Sequence, residues 1–342
     1  MINCAVIGAT GYTGVELIKI LVRHRYTRIT ALTTRQKESL STRTLIPTLP
    51  KDMEHEIRSY SFQEVKRNAD VVFLCLPHTE AAITAKKFWD AGKTVIDLSA
   101  DLRLRQAHDY DQWYGIKHPH PNLLKKSVYG LSEIYREEIR KADLIANPGC
   151  YPTGAILGLW PLLKKKLVDP QSIIIDSKSG VSGAGKKPNP ATQFCEVDEN
   201  FYAYKVGRHQ HTPEIVQALE AAAGTSVHLT FVPHLLPVQR GILSTMYLKK
   251  KKGVTEESIR KAFMTAYEKE PFVRMKPQGV FPALKDVQFT NFCDIGLLVD
   301  PKTNGVIVIT AIDNLLKGAS GQAVQNMNIR FDFPEEEGLK TW

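Results

Sequence analysis

The sequence predicts an α/β chain of two domains, the first on a parallel sheet and the second on a mixed sheet, and three observations carry that prediction. Short apolar, β-rich runs alternate with helical patterns through residues 1–147. From residue 148 the strands lengthen and strict alternation stops, as in an α+β domain over 148–313. A last helix, "LLKGASGQAVQNMNIRF", is expected to return to the first domain and complete it with residues 314–330.

The elements follow in order. "INCAVIG" is short and apolar on both faces, as a buried parallel strand is. Gly8, Gly11 and Gly14 come at once, and "VELIKILVRH" then sets Val15, Leu17, Ile18 and Leu21 on one helical stripe. "RITALTTR" supplies a second strand, "DVVFLCL" a third, "TEAAITAKKFWDAG" a helix closed by Gly92, and "TVIDLS" a fourth strand. "EIYREEIRKA" and "DLIANPG" add a helix and a strand, so right-handed crossovers are expected throughout. In the second domain residues 172–179, 227–235, 241–250, 293–299 and 306–312 read as strands, with helices at 212–223 and 255–268.

Composition narrows the function classes. The N-terminus has no basic segment leading into an apolar one, and no apolar run reaches membrane-span length, so a cytoplasmic protein without membrane contact is expected. The five cysteines, Cys4, Cys75, Cys150, Cys195 and Cys293, are odd in number and form no Cys-x-x-Cys pair. Neither a disulfide framework nor a zinc site fits. Reduced thiols are expected, most of them buried, with Cys4 and Cys75 as small core residues. The net charge of +9 admits nucleic acid, a membrane surface or small anions. Lys249–Lys252 reads as a solvated turn, and Lys164–Lys166 suits the negative end of a helix. No aromatic residue interleaves either run, so small anions are the expected partners rather than nucleic acid.

"GATGYTG" follows the first strand and opens a helix. Gly8, Gly11 and Gly14, with Thr10, Tyr12 and Thr13 between them, allow a tight turn and a close approach of backbone to a pyrophosphate. This is the context of a Rossmann-type dinucleotide site. The second strand ends "ALTTRQK" without the acid that would bind ribose hydroxyls. Thr33, Thr34 and Arg35 suit a 2′-phosphate, which favours NADP.

Cys150 lies in "NPGCYPTG", a strand-to-helix turn ahead of a helix read at 153–165. Free N–H groups there lower a thiol pKa and can hold an oxyanion. Position alone leaves a nucleophile and an inert packed thiol both open. A thiolate beside a nicotinamide points to hydride transfer at a sulfur-bound acyl carbon. "VGRHQHTPEI" sets His209, His211 and Glu214 together before a helix start as proton handlers. No further ligand cluster accompanies His209-x-His211, so no metal is expected.

Seven segments occur in a set order: "GATGYTG", "DLSADLRL", "IANPGCYPTGAILGLWP", "SGVSGAGKKP", "GRHQHTPEI", "FVPHLLPVQRGI" and "DNLLKGASGQAVQN". Together, from the first strand to about residue 328, they resemble the N-acetyl-γ-glutamyl-phosphate reductase family, relatives of aspartate-semialdehyde dehydrogenase. The resemblance implies NADPH-dependent reduction of N-acetyl-L-glutamyl 5-phosphate to the 5-semialdehyde, with release of phosphate, in arginine biosynthesis. It implies Cys150 as nucleophile forming a thioester and His209 as acid/base, with His211 and Glu214 orienting it at the substrate. Ser99 and Arg103 match substrate and phosphate contacts, and Lys186 would attract phosphate. Pro77, Ser179, Gly180 and Asn314 match the cofactor's surroundings, and a homodimer or homotetramer is implied. The chain departs from the family's Leu-Pro-His-Gly in "LPHTEA", where Thr79 replaces the glycine and Ala81 stands where serine is common. Thr34 stands where serine often precedes the arginine. Two rivals differ in what they predict: a carrier-linked aminoadipyl-phosphate reductase of lysine biosynthesis, and a non-catalytic NADP-binding sensor.

Overall fold

The computed structural model describes residues 1–340. The chain divides into two units, Met1–Gly149 joined by the chain from Ala319 onward, and Cys150–Gly318.

In the first unit β1 (Ile2–Ile7) lies at the centre of the sheet. On one side it pairs with β2 (Thr27–Thr34), followed outward by β4 (Glu56–Ser59) and β3 (Leu40–Ser41). On the other come β5 (Val71–Leu74), β6 (Thr94–Asp97), β8 (Leu144–Ala146) and β7 (Val128–Tyr129). Among the described residues only β3 against β4 is antiparallel. All four residues of β5 and of β6 are buried, as both-face coverage requires. The connecting helices are α1 (Tyr12–Leu21), the short α2 (Thr42–Leu45), α3 (Phe62–Asn68), α4 (Ala81–Asp90), α5 (Ala107–Tyr114), the short α6 (Pro121–Leu124) and α7 (Ser132–Arg140). Phe88 of α4 and Tyr110 of α5 pack with Val72, Leu74, Val95 and Leu102 in one core. Full burial of a side chain like Phe88 contributes about 1.5–3 kcal/mol.

The C-terminal helix, Gly321–Arg330, belongs to this unit, as expected, and packs on α7 and α1. Four of its buried side chains are amides, Gln322, Gln325, Asn326 and Asn328, and the NH2 group of each donates a hydrogen bond. Asn326 Nδ2 donates to the Gly130 carbonyl at 2.8 Å, and Asn326 Oδ1 accepts from Ser132 Oγ at 2.8 Å. His24 Nε2 lies 2.8 Å from Asn328 Oδ1. A buried amide costs little only when paired in this way.

The second unit opens with α8 (Cys150–Lys164), so the helix starts three residues before the reading from sequence. Its strands are β9 (Ile173–Gly180), β10 (Tyr202–Ala203), β11 (Leu229–Leu236), β12 (Ile242–Lys249), β13 (Val273–Met275), β14 (Cys293–Val299) and β15 (Gly305–Ile312). They form a mixed sheet in the order β10-β11-β9-β12-β15-β14-β13. The short α9 (Phe194–Val197), then α10 (His211–Ala223) and α11 (Glu256–Tyr267), complete the unit. α8 rests on β12 and β15 and is flanked by α10 and α11. Glycines permit the close approach: a Cβ on Gly158 would stand 2.5 Å from Met246 Cε.

Several short strands escaped the sequence reading. β3, β7 and β10 have two residues each and β13 has three, too few for alternation to register. The thiols of Cys4, Cys293 and Cys75 are buried, although Cys75 as a whole residue is partly exposed; Cys150 is partly exposed and Cys195 is exposed. The cause at Cys75 is that β5 ends at Leu74 and leaves the residue in the following turn.

Pro161 lies inside α8 and cannot donate to the Leu157 carbonyl four residues earlier. Tyr267 of α11 supplies the missing donor, its hydroxyl bonding that carbonyl at 2.7 Å. Tyr267→Phe should therefore destabilise the chain by about 1–3 kcal/mol, the cost of an orphaned buried acceptor, as read from urea denaturation midpoints.

Candidate active site

The crevice at the C-terminal ends of β1, β2 and β5, where strand order reverses, is the place where open parallel sheets take ligands. It holds a cavity of about 390 Å³. Gly8, Thr10 and Gly11 line it from the turn after β1, Thr33, Thr34 and Arg35 from the end of β2, and Cys75 and Pro77 from the turn after β5. The three glycines act differently. Gly8 has φ +86°, and a Cβ there would lie 2.4 Å from the Cys75 carbonyl oxygen. A Cβ on Gly14 would lie 2.7 Å from the Gly8 carbonyl oxygen, so Gly14 fixes the helix against the turn. A Cβ on Gly11 would meet only that same oxygen, at 3.8 Å, and its space stays open to a ligand. Tyr12 and Thr13 begin α1, and the Thr13 carbonyl accepts from Ser320 Oγ at 2.8 Å. Thr33 Oγ1 is buried with no protein partner among the described residues. An open glycine cradle at a helix N-terminus and an unsatisfied hydroxyl together fit a dinucleotide.

Past β6 the same unit carries a buried polar cluster. Asp97 accepts from the Ser99 backbone N–H at 2.9 Å and from Ser99 Oγ at 2.8 Å. Burial, then the charge of Asp101, pushes the Asp97 carboxyl up to about 7. Asp101 accepts from the backbone N–H groups of Thr79 at 2.7 Å and Ala82 at 3.0 Å, which secures the turn into α4. Arg103 donates to the carbonyls of Asn147 at 2.7 Å and Leu98 at 2.9 Å. Ser99 and Arg103 are both buried, and Arg103 steadies the segment that leads to Cys150.

In the second unit Cys150 is the first residue of α8, at the positive end of that helix. Gly318 backs it so closely that a Cβ there would stand 2.8 Å from Cys150 Cβ. Tyr151 follows, and its ring meets that of His209 edge-on at 5.5 Å. Tyr204 and Phe231 meet His209 edge-on at 5.5 and 5.4 Å, and His211 lies at 4.8 Å. Burial in this aromatic box, then the charge of Lys205, lowers the His209 imidazole to about 4. The ring is neutral at pH 7. The His211 backbone N–H donates to His209 Nδ1 at 3.1 Å, which leaves the ring proton on Nε2. His211 and Glu214 begin α10, and Glu214 is buried.

The sequence reading missed two phenols. Tyr204 donates to the Tyr151 hydroxyl at 3.1 Å, and Tyr151 donates to the His234 carbonyl at 3.1 Å. Burial raises both above the usual phenol range, Tyr204 to about 12, and the nearby Cys150 sulfur adds to each. Tyr151 was visible beside Cys150 in the quoted motif, whereas nothing in the pattern around Tyr204 marked it.

Ser179 and Gly180 end β9, where a Cβ on Gly180 would lie 2.7 Å from the Arg240 backbone nitrogen. Asn314 follows β15, accepts from the Gly241 N–H at 2.7 Å and donates to Ser182 Oγ at 3.0 Å. Arg240 and Asp313 form a buried ion pair beneath them, with Nε 2.9 Å from Oδ2 and Nη2 donating to Oδ1 at 3.0 Å. Lys186 is exposed on the loop after Gly185. Among the described residues no three His, Cys, Asp or Glu side chains gather to hold a metal ion.

Two family models match the chain: the semialdehyde dehydrogenase NAD-binding domain over residues 3–142 and the semialdehyde dehydrogenase dimerisation domain over 150–314. A relative in Pelotomaculum thermopropionicum, an N-acetyl-γ-glutamyl-phosphate reductase, is 51% identical over 99% of this chain and 97% of its own length. Its counterpart in Geobacter metallireducens is 48% identical over 99% of this chain and 98% of its own. Among solved structures, aspartate semialdehyde dehydrogenase II of Vibrio cholerae, complexed with ASA, superposes with a TM-score of 0.72 at 18% identity, covering 97% of this chain and 98% of that one. That likeness concerns the fold. On the sequence matches, the chain belongs to the N-acetyl-γ-glutamyl-phosphate reductase family of oxidoreductases, built from the two semialdehyde dehydrogenase domains.

Proposed function

We propose that the chain reduces N-acetyl-L-glutamyl 5-phosphate to N-acetyl-L-glutamate 5-semialdehyde with NADPH, releasing phosphate, as a cytoplasmic step of arginine biosynthesis. The observation that carries the chemistry is Cys150 at the N-terminus of a fifteen-residue helix, its neighbour Tyr151 in ring contact with a neutral, boxed His209. The carrier-linked aminoadipyl reading shares this chemistry, but nothing in the site favours it over the relatives' reaction.

The neutral ring changes the division of labour. An imidazolium is not available at pH 7 to hold a thiolate, so the helix N-terminus does that work for Cys150. The thiolate attacks the acyl carbon, the carbon–oxygen bond to phosphate breaks, and a thioester forms on Cys150. NADPH, when bound, supplies the hydride that reduces the thioester carbonyl. The resulting thiohemiacetal collapses to aldehyde and restores the thiolate. The positive end of α8 stabilises the oxyanion. The sequence consumes one proton, taken up as phosphate leaves and drawn finally from solvent; His209 is the acid/base of this reading, and it passes that proton from Nε2 only as its Nδ1 leaves the His211 N–H and takes up another in exchange. Ser99 and Arg103 hold the anionic substrate, with Arg103 preset by its carbonyl contacts. Lys186, His211 and Glu214 complete the substrate surroundings. Gly8, Gly11, Thr34 and Arg35 hold the adenine-nucleotide half of NADPH, with Thr10, Tyr12, Thr13 and Gly14 shaping the turn and Pro77 closing the cavity wall. Ser179, Gly180 and Asn314 serve the nicotinamide half.

Self-association has a physical basis in the second unit. On the sheet face away from α8, Ile174, Tyr247, Ile307 and Leu298 stand directly opposite one another across β9, β12, β15 and β14. Ile174, Tyr247 and Leu298 are 47, 41 and 45% exposed. An apolar row spanning four strands fits a second copy of the chain, in keeping with the dimerisation-domain match.

Three outcomes test these readings. Cys150→Ser should lose at least a thousandfold in kcat for phosphate-dependent NADP reduction with N-acetylglutamate semialdehyde; activity within tenfold of wild type refutes the nucleophile. Wild-type stability should fall relative to His209→Gln as pH drops from about 6.5 toward 4. Over that range the unfolded histidine takes a proton that the buried ring refuses, and below pH 4 the difference levels off. The difference in Tm between the two proteins, followed by differential scanning fluorimetry, reads this directly. Tyr247→Glu should shift the sedimenting species toward monomer with unchanged circular dichroism, and an unaltered oligomer rejects the sheet-face interface.

A further inference from the structure

Arg35 is the one cation among the described residues lining the cavity of the first unit, and Glu80 is the one carboxylate. They are paired with each other. Arg35 stands immediately past β2, next to Thr33 and Thr34, and Glu80 is the residue from which α4 starts. The pair therefore reaches from the end of β2 to the turn ahead of α4. That turn is not free to drift. The Thr79 and Ala82 N–H groups on either side of Glu80 are both bonded to the buried Asp101 carboxylate. Thr79 also sits at φ +77°, a conformation that costs a threonine energy and persists only under such restraint. Glu80 is thus presented to Arg35 by a fixed piece of backbone.

Resting on the reading of this cavity as the NADP site, we infer that Glu80 competes with the 2′-phosphate of the dinucleotide for Arg35. It thereby reduces the preference for NADP over NAD below what Arg35 and the two threonines would set alone. A guanidinium serves carboxylate and phosphate with the same fork of donors, so occupation by one delays the other. A phosphate dianion brought beside Glu80 also meets a like charge at short range. The pair is solvent-exposed, 63% at Arg35 and 43% at Glu80, so its strength is modest and a ligand phosphate can break it. The consequence is a bias on affinity, not a barrier. A 2′-hydroxyl carries no charge and gains nothing from the loss of Glu80.

Equilibrium binding separates this from the underlying assignment. Dissociation constants for 2′,5′-ADP and for 5′-AMP, measured by calorimetry on the full chain, compare wild type, Glu80→Gln and Arg35→Gln. Glu80→Gln should tighten 2′,5′-ADP about three- to tenfold at low salt and leave 5′-AMP within twofold or weaker, with the gain shrinking in 0.5 M KCl. Unchanged or weakened 2′,5′-ADP binding by Glu80→Gln overturns the proposal. Arg35→Gln tests the cavity's assignment instead: it should weaken 2′,5′-ADP at least tenfold, and failure to do so rejects the 2′-phosphate site whatever Glu80 does. In the Arg35→Gln background, Glu80→Gln should give less than half of its usual gain. An equal gain there means that Glu80 acts on the ligand without Arg35 and refutes the competition. Unfolding midpoints of each variant confirm that binding is read on folded protein.

Discussion

A buried carboxylate organises the reactive end of the second unit. Asp313, fully buried, is paired with Arg240 and also accepts from the N–H groups of Phe289 at 2.7 Å, Leu315 at 2.8 Å and Leu316 at 3.2 Å. It therefore ties together the turn after β15, the turn before β12 and the segment before β14. Gly180 bonds the Gly241 carbonyl at 2.9 Å, so the end of β9 is fastened to the same turn. Asn314 and Gly318, which follow Asp313, then fall where they reach Ser182 and the back of Cys150. A buried ion pair is poor evidence for stability, since two well-packed apolar residues often do as well. What this one supplies is position, because four donors converge on one side chain.

The first unit uses the same device with different residues. Asp101 holds the turn into α4, and Asp97 holds Ser99, which in turn accepts from the Asp101 N–H at 3.1 Å. Burial, and then the charge of Asp101, raises the proton affinity of Asp97, whose carboxyl is pushed up to about 7. Both units thus place a buried acid one or two residues from groups proposed to meet ligand.

Much of this was legible in the sequence, for identifiable reasons. The central strands of the first sheet are buried on both faces, so their apolar runs stood out, and the glycine turn was fixed by steric needs that only glycine meets at Gly8. Long strands such as β12 and β15 announced themselves by length. The edge strands did not, because two residues carry no period. The surroundings of Cys150 were only half legible. Adjacent residues, Tyr151 among them, travel with the motif, but Tyr204 and Gly318 reach the site through tertiary folding from positions 54 and 168 residues away. The neutrality of His209 was not legible at all, since it arises from burial among rings contributed by α8, β11 and the loop before α10.

The proline in α8 has a consequence for how this chain can change over generations. Leu157 lies about 10 Å along the helix from Cys150, at 1.5 Å per residue, and its carbonyl is served from α11 because Pro161 cannot serve it. A chain that loses the phenol at 267 while keeping the proline carries an orphaned acceptor within the helix that presents its thiol. A chain that loses the proline first regains an internal donor, and the phenol becomes dispensable. The order of substitution is therefore constrained, and the helix couples positions 161 and 267 although 106 residues separate them.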